Sequence, residues 1–485
     1  MTRDFVVVGF SKILQILSVI LTLRVLTSVL SPAEVGKVHF VLSTISFFAL
    51  FFINPVGMYL KRRVVEWSKS DYLSTSFTIF FYYIIIVVLI TSAILYILNG
   101  YWMNFSTISV DDLILIAALY LVFNTVSLTL ASTLNLLGYR KSWAVITIIG
   151  IWVGIFSSWY FTRVDATATR WLYGQVSGFF IATCVGAYLI NRFGFYSNFY
   201  FNDFRRSLNR ASIGLAISFS FPISIAVILG WFQYQSWKVF VGQVINFEYL
   251  GLFAAGYAIS AGIMAAFEST AQQFVHPYFY KNITHATRYE MQEAWTNYAN
   301  LMLPSAFMTC SFIAALSTQL IHLLVDEKFW GVELFLLMGS FIEFFRIATN
   351  VYSLSYHASL NTVKIIFPQF VGALLVIVTY AIYYEYQNIT ILFSGLLLSG
   401  VGYFFIFYTQ VNKEYKPNIK VIPLLVSGFS GFCFYFIAQE VNAVEPSIYG
   451  DISAVLISGV IYLSLLYVMF KRSFVNTISN GPSKY

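Results

Sequence analysis

The stretch Ser74–Leu98, STSFTIFFYYIIIVVLITSAILYIL, runs for 25 residues without a charged side chain. About 20 consecutive apolar residues are enough for a helix to cross the hydrocarbon of a bilayer. The stretch does not alternate with a period of two, so it does not fit a strand of a transmembrane barrel. Its two ends carry serine and threonine, then leucine and tyrosine, and the basic residues of the region lie outside it. It predicts a membrane-spanning helix.

Outward from this stretch the same pattern repeats along the whole chain. Apolar windows fall at 5–30, 37–60, 74–98, 113–138, 143–162, 171–191, 212–231, 249–275, 298–325, 331–357, 365–384, 389–411, 421–439 and 451–470. Of the 485 residues, 59% are apolar and only 10% are charged, against about 25% charged in soluble domains. The mean hydropathy is +0.76. An all-α polytopic membrane protein of about fourteen transmembrane helices is expected, with no sizeable soluble domain. Tyr101, Trp102, Trp143, Trp171, Trp237 and Trp330 sit near span edges, where amphipathic rings favour the headgroup layer.

The charges set the orientation. With the N-terminus in the cytoplasm and strict alternation, 20 of the 28 Lys and Arg residues fall in inside segments and five fall outside. That bias obeys the positive-inside rule, and one missed span would invert every later loop. Both termini are expected to be cytoplasmic. The net charge of +7 is therefore a topology signal and not a nucleic-acid footprint. Arg3 precedes a first apolar run that Lys12 and Gln15 interrupt and that lacks a small-residue cleavage site. It reads as a retained helix. Cys184, Cys310 and Cys433 all fall inside apolar stretches, where a buried thiol acts as a small apolar side chain.

A weak internal repeat organises the chain. Asn54-Pro55 closes the second span before a basic loop, and His276-Pro277 closes the eighth in the same way, 222 positions later. Gly150 and Gly372 are also 222 apart, and Glu34-Val35-Gly36 has a counterpart in Glu248–Gly251 at an offset of 215. Six helices per half is an even number, so the halves are expected as two six-helix lobes related by a pseudo-twofold along the membrane normal, as in many transporters. The expected segments are an N-lobe over 1–192, a cytoplasmic loop over 193–211, a C-lobe over 212–412, two further helices over 413–470 and a tail over 471–485.

Enzyme signatures are missing. The chain has no phosphate-binding G-x-x-x-x-G-K-[ST], no H-E-x-x-H and no G-x-S-x-G, and its five histidines are scattered. No catalytic residue, metal site or cofactor is assigned. The informative residues are ionisable groups inside spans, which are costly there and tend to face protein or a wet cavity. They are Lys12, Arg24, Glu268, Glu343 and Arg346. Lys12 and Arg24 share the first helix about 120° and roughly 18 Å apart, and snorkelling to either membrane face is open to both. Glu343 and Arg346, three apart on one helix, either pair with each other or meet a substrate. Glu268 opens the polar run ESTAQQ and is a candidate coupling residue for H+ or Na+. Packing against neighbouring helices is the alternative for it. Pro222 sits deep in the seventh span, as either a hinge or a static kink.

The segment Leu23–Gly36, LRVLTSVLSPAEVG, followed by an apolar helix and Lys61-Arg62-Arg63, is similar to the opening of the polysaccharide flippases of bacterial inner membranes. Those proteins export O-antigen and exopolysaccharide units and belong to the multidrug/oligosaccharidyl-lipid/polysaccharide exporter superfamily. Glu248–Tyr257, EYLGLFAAGY, ending at HPYFY, resembles the counterpart in the second lobe. The resemblance implies a substrate in which an oligosaccharide is joined by diphosphate to a polyprenol lipid and flipped from the cytoplasmic to the outer leaflet by alternating access. It implies a cavity between lobes with cationic contacts. Arg24 matches the family's first-helix arginine, and Lys12, Gln15, Arg346 and Glu343 join it as cavity candidates by their chemistry. It also implies a lipid groove formed by the last two helices, and membrane lipids and a polysaccharide polymerase as neighbours. Spans one to six lack a deep Asp or Glu, which departs from the superfamily's drug exporters. A cation-coupled antiporter of the same fold is the alternative, and a membrane polymerase or ligase is a more distant one.

Overall fold

The structure is a computed structural model and describes residues 2–69, 72–101, 108–195, 210–276, 279, 283, 287–358, 362–415, 417–444 and 447–479. Among these residues there is no β-strand. Thirteen helical segments are long and apolar enough to cross a membrane, and Leu14–Val29 within the first helix is a shorter apolar one. The protein is all-helical and multi-pass. Most of its helices coincide with the apolar windows because the thickness of the hydrocarbon sets their length; the window 298–325 is instead divided at Leu316 between the helices Arg288–Ala315 and Ser317–Leu324.

The chain divides into two compact units, Met1–Leu252 and Phe253–Tyr485. The first holds α1 (Thr2–Val29), α2 (Pro32–Phe48), α3 (Asn54–Lys69), α4 (Leu73–Tyr101), α5 (Val110–Leu136), α6 (Arg140–Thr162), α7 (Ala168–Arg192), α8 (Arg210–Tyr234) and the short α9 (Ser236–Phe240). The first turns of α10 (Phe247–Phe274) also belong to it. Side-chain caps fix several helix starts. The hydroxyls of Ser31, Ser109 and Thr167 accept from the backbone N–H three residues on, and Pro32 occupies the first turn of α2.

Asn54-Pro55 does not end a helix as the sequence suggests. A wide π-helical turn, Ala49–Ile53, precedes it, and the rod runs on unbroken from Pro32 to Lys69. Proline lacks a donor and its ring crowds the carbonyl four residues back; the wide turn gives that ring room. Inside the turn, the Tyr83 hydroxyl donates to the Phe52 carbonyl at 2.7 Å. Pro222, by contrast, lies within the continuous helix α8.

Small residues bring helices into backbone contact. Gly150 and Gly154 of α6 meet Gly174 and Gly178 of α7. A Cβ on Gly178 would lie 2.3 Å from the Gly150 carbonyl oxygen, and one on Gly174 would lie 2.2 Å from the Ser158 Cα. Each helix carries a G-x-x-x-G spacing, the pattern that lets membrane helices approach closely. The Ser158 hydroxyl donates to the Trp171 carbonyl at 2.8 Å, and Gln175 donates to Ser158 at 3.1 Å. A second close approach joins the first turns of α2 and α10. A Cβ on Gly36 would lie 1.9 Å from the Phe247 carbonyl oxygen, and one on Gly251 would lie 1.7 Å from that of Pro32. Pro32 and Gly36 precede Phe247 and Gly251 by the same 215 positions. The contact is thus reciprocal, as a local twofold requires.

The second unit holds the rest of α10, then α11 (Arg288–Ala315), α12 (Ser317–Leu324), α13 (Glu333–Ala358), α14 (Ile366–Tyr386), α15 (Ile389–Tyr415), α16 (Val421–Val444) and α17 (Ile448–Ser479). A Thr287–Glu290 capping box starts α11. In α11 72% of the apolar window is buried, against 11% in α17, so α11 is the centre of this unit. It packs against α13, α16 and α17. The last helix is tied down by His322 Nδ1 on Asp451 Oδ2 at 2.8 Å and by Thr309 on Tyr462 at 2.8 Å. Cys310 is buried here, whereas Cys184 and Cys433 lie on helix surfaces. Pro368 falls in the first turn of α14, where no helical hydrogen bond is lost.

Candidate functional site

Two helices of the second unit, α10 and α13, place five polar side chains together. On α10, Tyr257 and Glu268 are eleven residues apart. That is about three turns, so they share one face roughly 16 Å apart. On α13, Glu343, Arg346 and Asn350 follow at spacings of three and four, again on one face. Small residues let the faces meet. A Cβ on Gly339 of α13 would lie 2.4 Å from the Ser260 hydroxyl of α10, and one on Gly256 would lie 3.0 Å from the Val332 carbonyl oxygen.

Arg346 is the hub. Its Nη1 lies 2.8 Å from Glu268 Oε2 and its Nε lies 2.7 Å from Glu343 Oε2. The Tyr257 hydroxyl donates to Glu343 Oε1 in a short hydrogen bond. The Asn350 amide donates to Glu268 Oε1 at 2.8 Å, and Gln272 reaches the same oxygen at 3.5 Å. Glu343 is 4% exposed. The side chains of Glu268 and Arg346 are 13% and 21% exposed. With all three ionised, two carboxylates face one guanidinium. That arrangement has a formal charge of −1 in a place that water reaches poorly.

Below α10, the His276 ring nitrogen and the Tyr298 hydroxyl share a 2.9 Å hydrogen bond. Burial holds the imidazole pKa below its ordinary value, and the Glu268 carboxylate pulls the other way.

The structure brings together Glu268, Glu343 and Arg346 of the residues singled out in the sequence. Arg346 is not a bare cation. Both of its sides are engaged by carboxylates. The others sit on the first unit. Arg24 lies half-buried on α1, and the Gln15 Nε2 is buried without a hydrogen bond among the described residues. Lys12 is on α1 too, but its side chain lies outside the described residues. The hydroxyls of Ser18, Thr22, Thr27 and Ser28 turn back onto carbonyls of α1 itself. Sequence reasoning missed Tyr257 and Asn350. Asn350 stands four residues after Arg346 on the same face, and that spacing was the available signal. No group of three or more His, Cys, Asp or Glu among the described residues is placed to hold a metal ion.

The chain matches the protein family described as "Polysaccharide biosynthesis protein" over residues 25–332. No curated relative matches it. Among solved structures, it is similar to the lipid II flippase MurJ in an inward closed conformation, with a TM-score of 0.66 and 14% identity over 98% of this chain and 100% of that one. An inward-facing multidrug resistance transporter of the MOP superfamily aligns with a TM-score of 0.62 and 12% identity, covering 82% of this chain and 94% of that one. A MOP superfamily transporter from Pyrococcus furiosus aligns with a TM-score of 0.50 and 11% identity, covering 84% and 96%. At these identities the likeness is one of fold, shared with transporters of the MOP superfamily.

Proposed function

The chain belongs to the polysaccharide biosynthesis protein family, and from that premise we propose that it is a flippase for a polyprenyl-diphosphate-linked oligosaccharide. The supporting observation is the end-to-end fold likeness to a lipid II flippase, whereas the multidrug transporters cover about a sixth less of the chain. A pair of added helices suits a substrate with a long lipid tail that stays in the membrane while the headgroup moves.

A diphosphate cannot cross about 30 Å of hydrocarbon unaided. In this reading Arg24 and Lys12 of α1 contact the anionic headgroup, with Gln15 beside them. The lobes expected over 1–192 and 212–412 alternate in access, and Pro222 serves as a hinge. Glu268 and Glu343 accept H+ or Na+, with Arg346 and Tyr257 holding both carboxylates in place. The cytoplasmic face carries both termini, and the substrate leaves toward the outer leaflet of a bacterial inner membrane, next to a polysaccharide polymerase.

The excess negative charge of the α10–α13 cluster favours a second reading, a cation-coupled antiporter of small molecules. One experiment separates the two. Purified protein is reconstituted in vesicles with a fluorescent polyprenyl-diphosphate sugar in the inner leaflet, with and without an imposed H+ or Na+ gradient. Arrival of the label in the outer leaflet only in the presence of the protein supports the flippase. Gradient-driven efflux of amphipathic cations with no movement of the labelled lipid rejects it in favour of the antiporter.

A further inference from the structure

The rod Pro32–Lys69 has 38 residues. At 1.5 Å per residue it is about 57 Å long, nearly twice the hydrocarbon thickness. Tilt within the usual range absorbs only a small part of the excess. Roughly one third of the rod must lie beyond the hydrocarbon, and the residue pattern shows which third. All its basic residues other than Lys37 are on α3: Lys61, Arg62, Arg63 and Lys69.

α3 has two faces. Pro55, Gly57, Leu60 and Val64 are buried against the protein. Met58, Lys61, Arg62, Val65 and Lys69 are exposed and fall at helical spacing along one stripe, with the exposed Glu66 at its edge. Arg63 pairs with Glu66 at 3.1 Å. Among the described residues no carboxylate pairs with Lys61, Arg62 or Lys69. Beside the stripe runs a chain of rings. Tyr59 lies 5.7 Å from Phe219 and 6.2 Å from Trp67, and Trp67 lies 6.0 Å from Tyr72. The Arg62 guanidinium stands 5.8 Å from the centre of the Phe219 ring. Rings of this kind mark headgroup depth. A stripe that mixes Met and Val with three unpaired cations at that depth fits a surface that is partly apolar and partly anionic.

We propose that the exposed stripe of α3 docks the anionic phospholipid headgroups of the surrounding leaflet, with Lys61, Arg62 and Lys69 on the phosphates and Met58 and Val65 dipping among the upper acyl carbons. The occupant is the bilayer itself, so the proposal stands apart from the identity of the transported substrate.

The test uses the purified full-length protein in neutral detergent and reads lipid retention by native mass spectrometry. The added lipids are phosphatidylglycerol and phosphatidylcholine, with inorganic phosphate as a separate arm. The wild type should retain phosphatidylglycerol in preference to phosphatidylcholine. In the triple variant Lys61→Gln, Arg62→Gln, Lys69→Gln that preference should fall by on the order of 100-fold. Arg140→Gln with Lys141→Gln, at another basic turn, should leave it intact. Equal retention of both lipids by the wild type, an unchanged preference in the triple variant, or full displacement of the lipid by millimolar inorganic phosphate overturns the proposal. Should the triple variant fail to fold, a headgroup-photoreactive phosphatidylglycerol on the wild type decides instead. Labels on residues 58–69 support the docking surface, and labels elsewhere reject it.

Discussion

Replacing Arg346 by leucine removes the cation that pairs with Glu268 and the buried Glu343. Its contacts with Glu268 and Glu343 are 2.8 Å and 2.7 Å. At an effective dielectric of 20 each attraction amounts to roughly 6 kcal/mol. Desolvating the charges offsets much of this, by several kcal/mol per ion. What remains after removal is two carboxylates with a formal charge of −2, with Tyr257, Asn350 and Gln272 as the donors among the described residues. Loss of one partner from a buried ion pair typically costs about 3–5 kcal/mol, and Arg346→Leu should fall in that range. The assay is reversible unfolding in mixed micelles by titrated SDS, alongside the variants Glu343→Gln and Glu268→Gln. Arg346→Leu combined with Glu343→Gln restores the formal charge to −1 and should recover at least half of the loss. Adding Glu268→Gln as well removes all charge and should recover more. A single Arg346→Leu variant as stable as the wild type, or a triple variant no better than the single one, would refute the electrostatic account of the cluster.

Other outcomes follow from features already described. Gly251→Ala places a Cβ 1.7 Å from the Pro32 carbonyl oxygen, so α2 and α10 must part by about 2 Å to reach ordinary contact. The expected loss is about 1–3 kcal/mol in the same unfolding assay, and an unchanged midpoint would mean that the helices do not meet there. Arg24→Ala should lower delivery of the lipid-linked sugar at least tenfold and leave it in the cytoplasmic leaflet. Normal delivery by a well-expressed variant would remove Arg24 from the headgroup contact. A reporter fused after Ser70 should be active only if it is a cytoplasm-dependent type, and activity of a periplasm-only reporter would invert the proposed topology.

Much of the fold was legible in the sequence because one physical constraint dominates it. Hydrocarbon thickness sets the length of each apolar run, and windows such as 389–411 and 421–439 begin at the first residues of α15 and α16. The site was legible only in its parts. Glu268, Glu343 and Arg346 stand out as ionisable residues inside apolar runs, and the spacing of the last two already implies a shared face. That Arg346 bridges to Glu268 depends on the register between α10 and α13. That register is set by contacts such as Gly339 against Ser260, which leave no periodic trace. Tyr257 escaped notice because one tyrosine among 34 carries no signal of its own. The continuation of the second helix past Pro55 was hidden for a related reason. Proline signals a break locally, and only the wide turn before it cancels that signal.

That wide turn has a rotational consequence. A π-helical turn amounts to one extra residue in an α-helix, and each residue advances the helix by about 100°. Ala49–Ile53 therefore takes up one residue between α2 and α3 without the rotation of about 100° which that residue would otherwise impose. Deleting one residue there and letting the backbone relax to ordinary α geometry keeps the helix continuous and the sequence of α3 unchanged. The atoms of Pro32–Phe48 keep their aim, and nothing downstream is displaced along the axis by more than about one residue's rise. Leu60 and Val64 keep their azimuth, because the residue removed is the one that the wide turn had absorbed. A further insertion in α3 before Leu60, which nothing absorbs, would instead swing Lys61 and Arg62 by about 100°. Tolerance to length changes in this rod is thus confined to the few positions that can trade a wide turn for a narrow one.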